Sequence, residues 1–211
     1  MSTPYYSDEF VTLFLGDCLE VREWLAADVL VTDPPYGMAH KSGWQPRPIA
    51  GDATTGARDD ALTAWGGRPA LVFGRWSEPR PEGVITRLVW DKGEWPGMGD
   101  LRLPWGPSDE EIYVLGSGWV GKRSGTVVRT NRLSGGAVVD HPTPKPLVLM
   151  QVLIAKCPPG VIADPFAGSG STLVAAKALG RKAIGVELEE RYCEIAARRL
   201  AQDILDFGGA A

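Results

Sequence analysis

The chain has 211 residues, of which 44% are hydrophobic and 23% are charged, a balance typical of one globular domain with a sizeable core. Its net charge of -4 argues mildly against a nucleic-acid-binding protein, because phosphates favour Lys and Arg, although local basic stretches can still contact DNA. No apolar run approaches the roughly 18 residues of a membrane span. Three scattered cysteines and two histidines lack the spacing of a metal site, so we expect reduced thiols, a cytoplasmic location and no bound metal.

The first half of the chain alternates strand-like apolar runs with polar connections. Strands are predicted at residues 10–15, 29–32, 70–73, 84–90 and 111–115, and a short helix is predicted at 19–27. Residues 38–60 are rich in Gly, Pro, Arg and Asp and predict a long loop, which in a compact domain is usually functional or disordered. Further connections lie at 91–109 and 116–140, and we expect the latter to be exposed.

The second half alternates helices and strands more regularly. Helices are predicted at 146–155, 171–179 and 190–205, and strands at 161–164 and 183–187. This alternation predicts a single α/β domain over residues 1–211, with a mostly parallel sheet of seven strands. If the strand at 10–15 lies beside the strand at 183–187, the two ends of the chain are close together. The order of elements is then that of a circularly permuted nucleotide-type fold.

Two short strings stand directly after apolar strands, where open α/β sheets bind ligands. They are TDPPYG at residues 32–37 and DPFAGSG at residues 164–170. The second string has a Gly-x-Gly core but lacks the third glycine of the dinucleotide fingerprint, since residue 173 is Leu, and no lysine follows in Walker spacing. A phosphate-gripping loop is therefore not predicted. Taken alone, each string also fits a tight turn capped by an acidic residue.

Together and in this order, the two strings resemble those of the β-type amino-methylating DNA methyltransferases, which use S-adenosylmethionine. The resemblance extends to residues 90–92, 110–112 and 141–146, the last of which (HPTPKP) resembles a family signature. It implies a Rossmann-like, S-adenosylmethionine-dependent methyltransferase fold, with S-adenosylmethionine as cofactor and DNA as partner. Family members with Asp as the first residue of the acceptor box mostly methylate adenine, and those with Ser mostly methylate cytosine. Asp33 therefore implies adenine N6.

The resemblance assigns the methyl donor to the glycine-rich string. Gly168 and Gly170 permit close approach of backbone to ligand, and Phe166 offers a flat apolar surface for adenine. Glu187, at the end of the next strand, can accept hydrogen bonds from ribose hydroxyls, although a solvated strand-end acid is the alternative. The predicted cofactor-binding residues are Asp17, His141, Thr143, Lys145, Asp164, Phe166, Gly168, Gly170 and Glu187. Asp17 either accepts from the donor's adenine amino group or merely caps a turn.

The first string is predicted to hold the base that is methylated. The lone pair of an exocyclic amine is delocalised into the ring, and a group that accepts the amine hydrogens makes the nitrogen a better nucleophile. Asp33 supplies a carboxylate acceptor and Pro34 a carbonyl, and Pro34 and Pro35 fix the backbone. Tyr36 offers a ring for stacking on a base taken out of the helix. Asp33, Pro34, Pro35 and Tyr36 are the predicted catalytic residues.

DNA contact is expected from the three connections at 38–60, 91–109 and 116–140. The predicted DNA-binding residues are Lys41, Arg47, Lys122, Arg123, Arg129 and Arg132, whose alternative role is to solubilise exposed loops. No separate recognition domain is evident, so we expect a short target or a homodimer. Rival functions are cytosine-N4 or RNA methylation, a catalytically idle nucleic-acid-binding domain of this fold, and methylation of small molecules or proteins.

Overall fold

The computed structural model of the chain describes residues 2–35, 55–93, 97, 99–130 and 144–206. In this part of the chain the strands are β1 Tyr6–Ser7, β2 Val11–Leu15, β3 Val29–Thr32, β4 Ala70–Gly74, β5 Val84–Asp91, β6 Asp109–Leu115, β7 Val127–Arg129, β8 Ile162–Asp164 and β9 Ala183–Glu187. The helices are α1 Gly56–Trp65, α2 Leu147–Ile154, α3 Ser171–Ala178 and α4 Glu190–Asp206, with one turn of 3-10 helix at Glu23–Ala26.

All these strands belong to one sheet with the order β1-β2-β9-β8-β3-β4-β6-β5-β7. The five strands β2, β9, β8, β3 and β4 run parallel to one another. Strand β6 is antiparallel to both of its neighbours, β4 and β5, and β7 is parallel to β5. Strands β2, β9, β8, β3, β4, β5 and β7 therefore all end at one edge of the sheet, which we call the carboxyl edge. Strand β6 begins at this edge and ends at the opposite one, the amino edge.

Helices cover both faces of the sheet. Helices α2, α3 and α4 pack on one face through a core that includes Leu153, Leu173 and Leu200. The 3-10 turn and α1 cover the other face, where the rings of Trp24 and Trp65 stack with centroids 5.8 Å apart. Because the central strands are buried on both sides, β3 and β4 consist almost wholly of apolar residues, as parallel strands in such a sandwich do.

The seven predicted strands are confirmed, and two short strands, β1 and β7, extend the described sheet to nine. The strand predicted at 10–15 does lie beside the strand predicted at 183–187, because β2 pairs with β9 in parallel from Val11↔Ala183 to Leu15↔Glu187. No helix among the described residues is both long and apolar enough to traverse a lipid bilayer.

Two predicted elements differ from the structure. The helix expected at 19–27 is reduced to the 3-10 turn, because the indole of Trp24 donates to the Cys18 carbonyl and fixes a tighter path. The loop expected at 38–60 ends earlier, since residues 56–60 begin α1. Gly56, Asp59 and Asp60 have low helix propensity, and burial of Ala61 and Trp65 in the core stabilises the helix.

Candidate active site

A cavity of about 410 Å³ opens at the carboxyl edge of the sheet. Its walls come from segments that follow six strands, namely β2, β3, β4, β5, β8 and β9, and from the start of β6. Asp17 follows β2, Asp33 follows β3 and Phe166 follows β8. Glu187 is the last residue of β9, and Glu110 is the second residue of β6. The volume falls within the usual range for small-molecule and cofactor sites. The fold thus brings both sequence strings to one cavity.

The two strings are joined by a buried hydrogen bond between side chains 132 positions apart. The Thr32 hydroxyl donates to Oδ1 of Asp164 over 2.8 Å, and the backbone N–H of Phe166 donates to the same oxygen over 3.1 Å. Burial raises the pKa of Asp164 to about 7, against the lowering effect of hydrogen bonds from Thr172 and Thr32. This carboxyl group is surrounded by neutral donors, and it ties the end of β3 to the glycine-rich loop.

The glycine-rich loop is held by the carboxylate of Glu187. Its Oε2 accepts from the N–H of Gly168 over 2.7 Å and its Oε1 accepts from the N–H of Glu189 over 2.8 Å. Burial raises the pKa of Glu187 despite these bonds. Gly168 has φ +52°, a left-handed backbone conformation that favours glycine. The loop therefore exposes backbone to the cavity at Gly168.

Gly170 has a different surrounding from Gly168. It is the N-cap of α3 with φ +80°, and a Cβ there would lie 2.9 Å from the Cβ of Ala196 on α4. It is not among the residues that line the cavity, so the structure places it in helix packing. Arg199 of α4 secures the far side of the loop, donating to the carbonyl of Ser169 over 2.6 Å. Arg199 was missed because only the fold brings α4 to this loop.

Asp17 lines the cavity and also caps a turn, and its contact with the adenine of the donor stays a prediction. Its side chain lines the cavity, and its Oδ1 also accepts from the N–H of Leu19 over 2.8 Å, which caps the turn after β2. The N–H of Gly16 donates to the carbonyl of Glu187 over 2.9 Å. The carboxylates of Asp17 and Glu187 therefore lie at the ends of two directly paired strands.

A chain of alternating charges surrounds Asp33. The ammonium of Lys145 lies 2.5 Å from Oδ2 of Asp33 and 3.1 Å from Oε2 of Glu110. Lys92 lies 2.5 Å from the other oxygen of Glu110. Lys145 is buried, and its ammonium also lies 4.8 Å from the centre of the Phe73 ring. This set runs from β5 and β6 to the end of β3, and we call it the charge chain (Lys92, Glu110, Lys145 and Asp33).

Opposite charges determine the ionisation of this chain. Burial on its own lowers the pKa of Lys145, but the attraction of Asp33 and Glu110 outweighs it and the pKa is raised. Burial would raise the pKa of Glu110, and Lys145 and Lys92 reverse this, so that the pKa is lowered. Both groups are therefore charged near neutral pH. Glu110 and Lys92 entered the sequence analysis only as family landmarks, and their position at strand ends was the signal that they line the site.

The structure brings most of the predicted catalytic and cofactor residues to this cavity. Asp33, Pro34 and Pro35 line it, as do Asp17, Lys145, Asp164, Phe166, Gly168 and Glu187. Lys145, expected at the donor, instead directs its ammonium to the acceptor residue Asp33. Tyr36, His141 and Thr143 lie outside the described residues. Arg75, Met150 and Tyr192 also line the cavity and were not predicted, since nothing in their local sequence distinguishes them from core or surface residues.

The structure divides the predicted DNA-binding residues. Lys122 and Arg123 are exposed and lie between β6 and β7, at the amino edge, where the Lys122 carbonyl accepts from Lys156. This is the edge opposite the cavity, because β6 runs against its neighbours. Arg129 lies at the carboxyl edge, paired with Asp91 over 2.7 Å. Lys41, Arg47 and Arg132 lie outside the described residues.

Comparison with known proteins agrees with this site. The family model described as DNA methylase, covering the N6 and N4 amino-methyltransferases, matches residues 75–198. The methylase YubD of Escherichia coli strain K12 is 31% identical over 227 aligned positions, which cover 88% of each protein. The chain therefore belongs to the DNA methylase family, the S-adenosylmethionine-dependent amino-methyltransferases of DNA.

Two solved structures share the fold. The M1.HpyAVI–S-adenosylmethionine complex has a TM-score of 0.63 at 19% identity, covering 90% of this chain and all of that one. The cytosine-N4-specific PvuII DNA methyltransferase has a TM-score of 0.69 at 15% identity, covering 100% of this chain and 91% of that one. These likenesses support the predicted methyltransferase fold.

Proposed function

We propose that this DNA methyltransferase transfers the methyl group of S-adenosylmethionine to the N6 amino group of adenine in DNA. The observation that carries the proposal is Asp33, a carboxylate at the end of β3 held by Lys145 over 2.5 Å in the cavity of the glycine-rich loop. In the family that the sequence resembles, Asp at this position goes mostly with adenine, and Ser goes mostly with cytosine.

The donor half of the cavity, formed by Asp17, residues 164–168 and Glu187, fits S-adenosylmethionine. Gly168 exposes backbone at φ +52°, so the amino-acid part of the cofactor can approach the main chain closely. Phe166 presents a half-buried ring to the cavity, suited to an adenine face. Asp17 and Glu187, at paired strand ends, offer carboxylate oxygens to amino and hydroxyl donors. The bound cofactor supplies an electrophilic methyl group.

The acceptor half, formed by the charge chain with Pro34 and Pro35, fits an exocyclic amine. The carboxylate of Asp33 accepts a hydrogen bond from the amine, and the carbonyl of Pro34 accepts a second one. These two hydrogen bonds draw the amine nitrogen toward tetrahedral geometry. Lys145 fixes the orientation of the Asp33 carboxylate and balances its charge, and Glu110 holds Lys145 from the other side. The residues thus position and polarise the amine, and positioning of two reactants can supply much of the rate.

The experiment measures methyl transfer and identifies the product. Tritium from labelled S-adenosylmethionine is followed into duplex DNA, which is then digested to nucleosides and separated by chromatography. We expect label in N6-methyladenine, and labelling roughly a thousandfold slower from the isosteric Asp33→Asn variant at matched enzyme concentration. Label in N4-methylcytosine would contradict the adenine assignment, and label in RNA or protein alone would contradict DNA as substrate. The short target and the homodimer stay predictions, which sequencing of methylated random DNA and sedimentation would test.

A further inference from the structure

Two tryptophans at the carboxyl edge are almost completely exposed. Trp76 is 80% exposed and Trp105 is 79% exposed, whereas Trp24, Trp65 and Trp90 are each at most 4% exposed. A scattered aliphatic side chain at the surface is ordinary. An exposed indole leaves a much larger apolar surface in contact with water than an exposed aliphatic side chain does. Tryptophan is also enriched where proteins bind partners.

Both tryptophans adjoin residues that line the active-site cavity. Trp76 follows Arg75, which lines the cavity, in the segment that leaves the end of β4. Trp105 stands two residues before Pro107, which also lines the cavity, in the segment that leads into β6. Because β4 ends and β6 begins at the carboxyl edge, both indoles belong to segments that leave the edge on which the cavity opens.

The backbone beneath Trp76 is anchored although its ring is not covered. The carbonyl of Arg75 accepts from the hydroxyl of Tyr113 and from the N–H of Glu78, each over 3.2 Å. The carbonyl of Pro79 accepts from Arg58 over 2.8 Å. The ring is therefore presented on a fixed turn.

The segment of Trp105 is tied down at its base in the same way. The carbonyl of Pro107 accepts from the N–H of Gly97 over 2.7 Å, and the carbonyl of Ser108 accepts from the N–H of Lys92 over 2.8 Å. The N–H of Leu103 donates to the carbonyl of Asp100 over 3.0 Å, which forms a turn just before the indole. An aromatic ring on an ordered backbone loses little conformational entropy when a partner covers it.

Exposed guanidinium groups lie in the segment that follows Trp76 and on strand β5. Arg80 and Arg87 both bind the buried carboxylate of Glu111, at 3.2 and 2.8 Å. Both guanidinium side chains remain about half exposed, at 56% and 47%, although Glu78 and Glu82 in the same segment balance their charge. Such groups can contact phosphates while the indole contacts a base.

We propose that Trp76 and Trp105 form a base-stacking surface at the mouth of the cavity, on which nucleotides beside the target base are held after it leaves the helix. This inference rests on the proposed function insofar as the substrate is DNA, but it does not depend on which base is methylated. A flipped base leaves neighbouring bases unstacked, and aromatic rings stack on any base irrespective of sequence. Both indoles are exposed, and each belongs to an anchored segment that also contributes a residue to the cavity wall.

The test measures DNA affinity separately from methyl transfer. Fluorescence anisotropy of a labelled duplex is recorded with saturating S-adenosylhomocysteine for the wild type, Trp76→Ala, Trp105→Ala and the double variant. We expect each single variant to bind roughly five- to a hundredfold more weakly, in line with alanine substitution of stacking aromatics. Trp76→Phe and Trp105→Phe, which keep a ring, should recover most of the affinity.

Matched controls separate stacking from general effects. Ile85→Ala removes an exposed apolar side chain near the start of β5, at the amino edge, and we expect DNA affinity to stay within about twofold. Cofactor affinity by calorimetry and the far-ultraviolet circular dichroism spectrum should be unchanged in the tryptophan variants. Sedimentation of each variant reports whether the same rings hold two copies of the chain together.

Each result decides for or against the proposal. Unchanged DNA affinity in the double variant, or failure of the wild type to bind DNA, would overturn it. Loss of a dimer in parallel with loss of affinity would also overturn it, assigning the rings to contact between copies. The proposal stands if the alanine variants bind DNA weakly and the phenylalanine variants recover the affinity. This holds even when the product proves to be N4-methylcytosine, so a failure of the adenine assignment can be distinguished from a failure of the stacking proposal.

Discussion

The two halves of the cavity hold their carboxylates in different ways. In the donor half, Asp164 and Glu187 accept from hydroxyl and backbone N–H groups, and burial raises the pKa of both. In the acceptor half, Lys145 lies between Asp33 and Glu110, and the pKa of Glu110 is lowered. The same residue type thus stands among neutral donors in one half and among cations in the other.

This difference follows from what each half has to do. The donor half must hold a loop in a strained shape, and neutral hydrogen bonds to the backbone achieve that without a buried cation. The acceptor half must aim a carboxylate at an amine, and the buried ammonium of Lys145 holds that carboxylate by a charge-assisted hydrogen bond. Substitutions in the acceptor half should therefore alter the rate of methyl transfer. Substitutions in the donor half should alter donor binding or the stability of the fold.

Asp33→Asn is expected to have the largest effect. The amide keeps the size of the side chain but loses the charge that draws the amine hydrogens, so the transfer rate should fall by roughly a thousandfold, as when a preorganised transition-state contact is removed. Donor affinity, measured by calorimetry, should stay within a few-fold. A parallel loss of donor affinity would show that the two halves do not act separately.

Gly168→Val should have the converse effect and weaken donor binding by about a hundredfold. Its φ of +52° strains any β-branched residue, and the added side chain occupies the place where backbone meets ligand. Gly180→Val is the matched control, because Gly180 also has a positive φ, +65°, but has open space beside it and lies after α3. If Gly180→Val weakened donor binding as much as Gly168→Val does, backbone strain alone would explain the loss of affinity.

Lys145→Met tests the assignment of this lysine to the acceptor half. The methionine keeps most of the stem but leaves the carboxylates of Asp33 and Glu110 without their shared cation, so the transfer rate should fall by about ten- to a hundredfold. Donor affinity should change little. Tritium transfer and calorimetry on one preparation would distinguish the acceptor role from a donor-binding role. In a donor-binding role, the affinity for S-adenosylmethionine would fall and the transfer rate at saturating S-adenosylmethionine would be unchanged.

The raised pKa of Asp164 predicts the smallest effect, one on stability. In the folded protein this group holds a proton up to about pH 7, whereas an unfolded aspartate is ionised above about pH 4. Between these values the folded state binds more protons, so the contribution of Asp164 to stability falls as pH rises. From about pH 5 to pH 7 the wild type should lose on the order of 2 kcal/mol relative to Asp164→Asn. Urea unfolding checks this, and parallel pH profiles would contradict it.

Much of the fold and of the donor half could be predicted because the signals are local. Apolar runs predict the strands, and the glycine-rich string marks a turn where backbone meets ligand. Asp33, Asp164 and Glu187 each follow or end such a run, so their shared edge followed from parallel pairing. Helix α1 could not be predicted in this way, because contacts of Trp65 with Trp24 stabilise it against its own propensity.

The acceptor half shows where local signals end. Lys145 reaches Asp33 across 112 positions, and no spacing rule predicts which of several polar groups a buried lysine will bind. Lys122 and Arg123 were expected on the DNA side as part of a basic, exposed connection. They lie at the amino edge because β6 is antiparallel to β4, so that the segment following β6 emerges on the far side of the sheet.

The sequence by itself determined the family, the strand-and-helix order and the two strings that meet at the cavity, since these depend on residues close together in the chain. Tertiary structure alone decided that Lys145 and Glu110 accompany Asp33, that Gly170 packs against α4, and that Trp76 and Trp105 are exposed. The physical reason is that charge pairing and exposure depend on the direction of each strand and on the sheet order. Those follow from the free energy of the whole packed chain and not from any one segment.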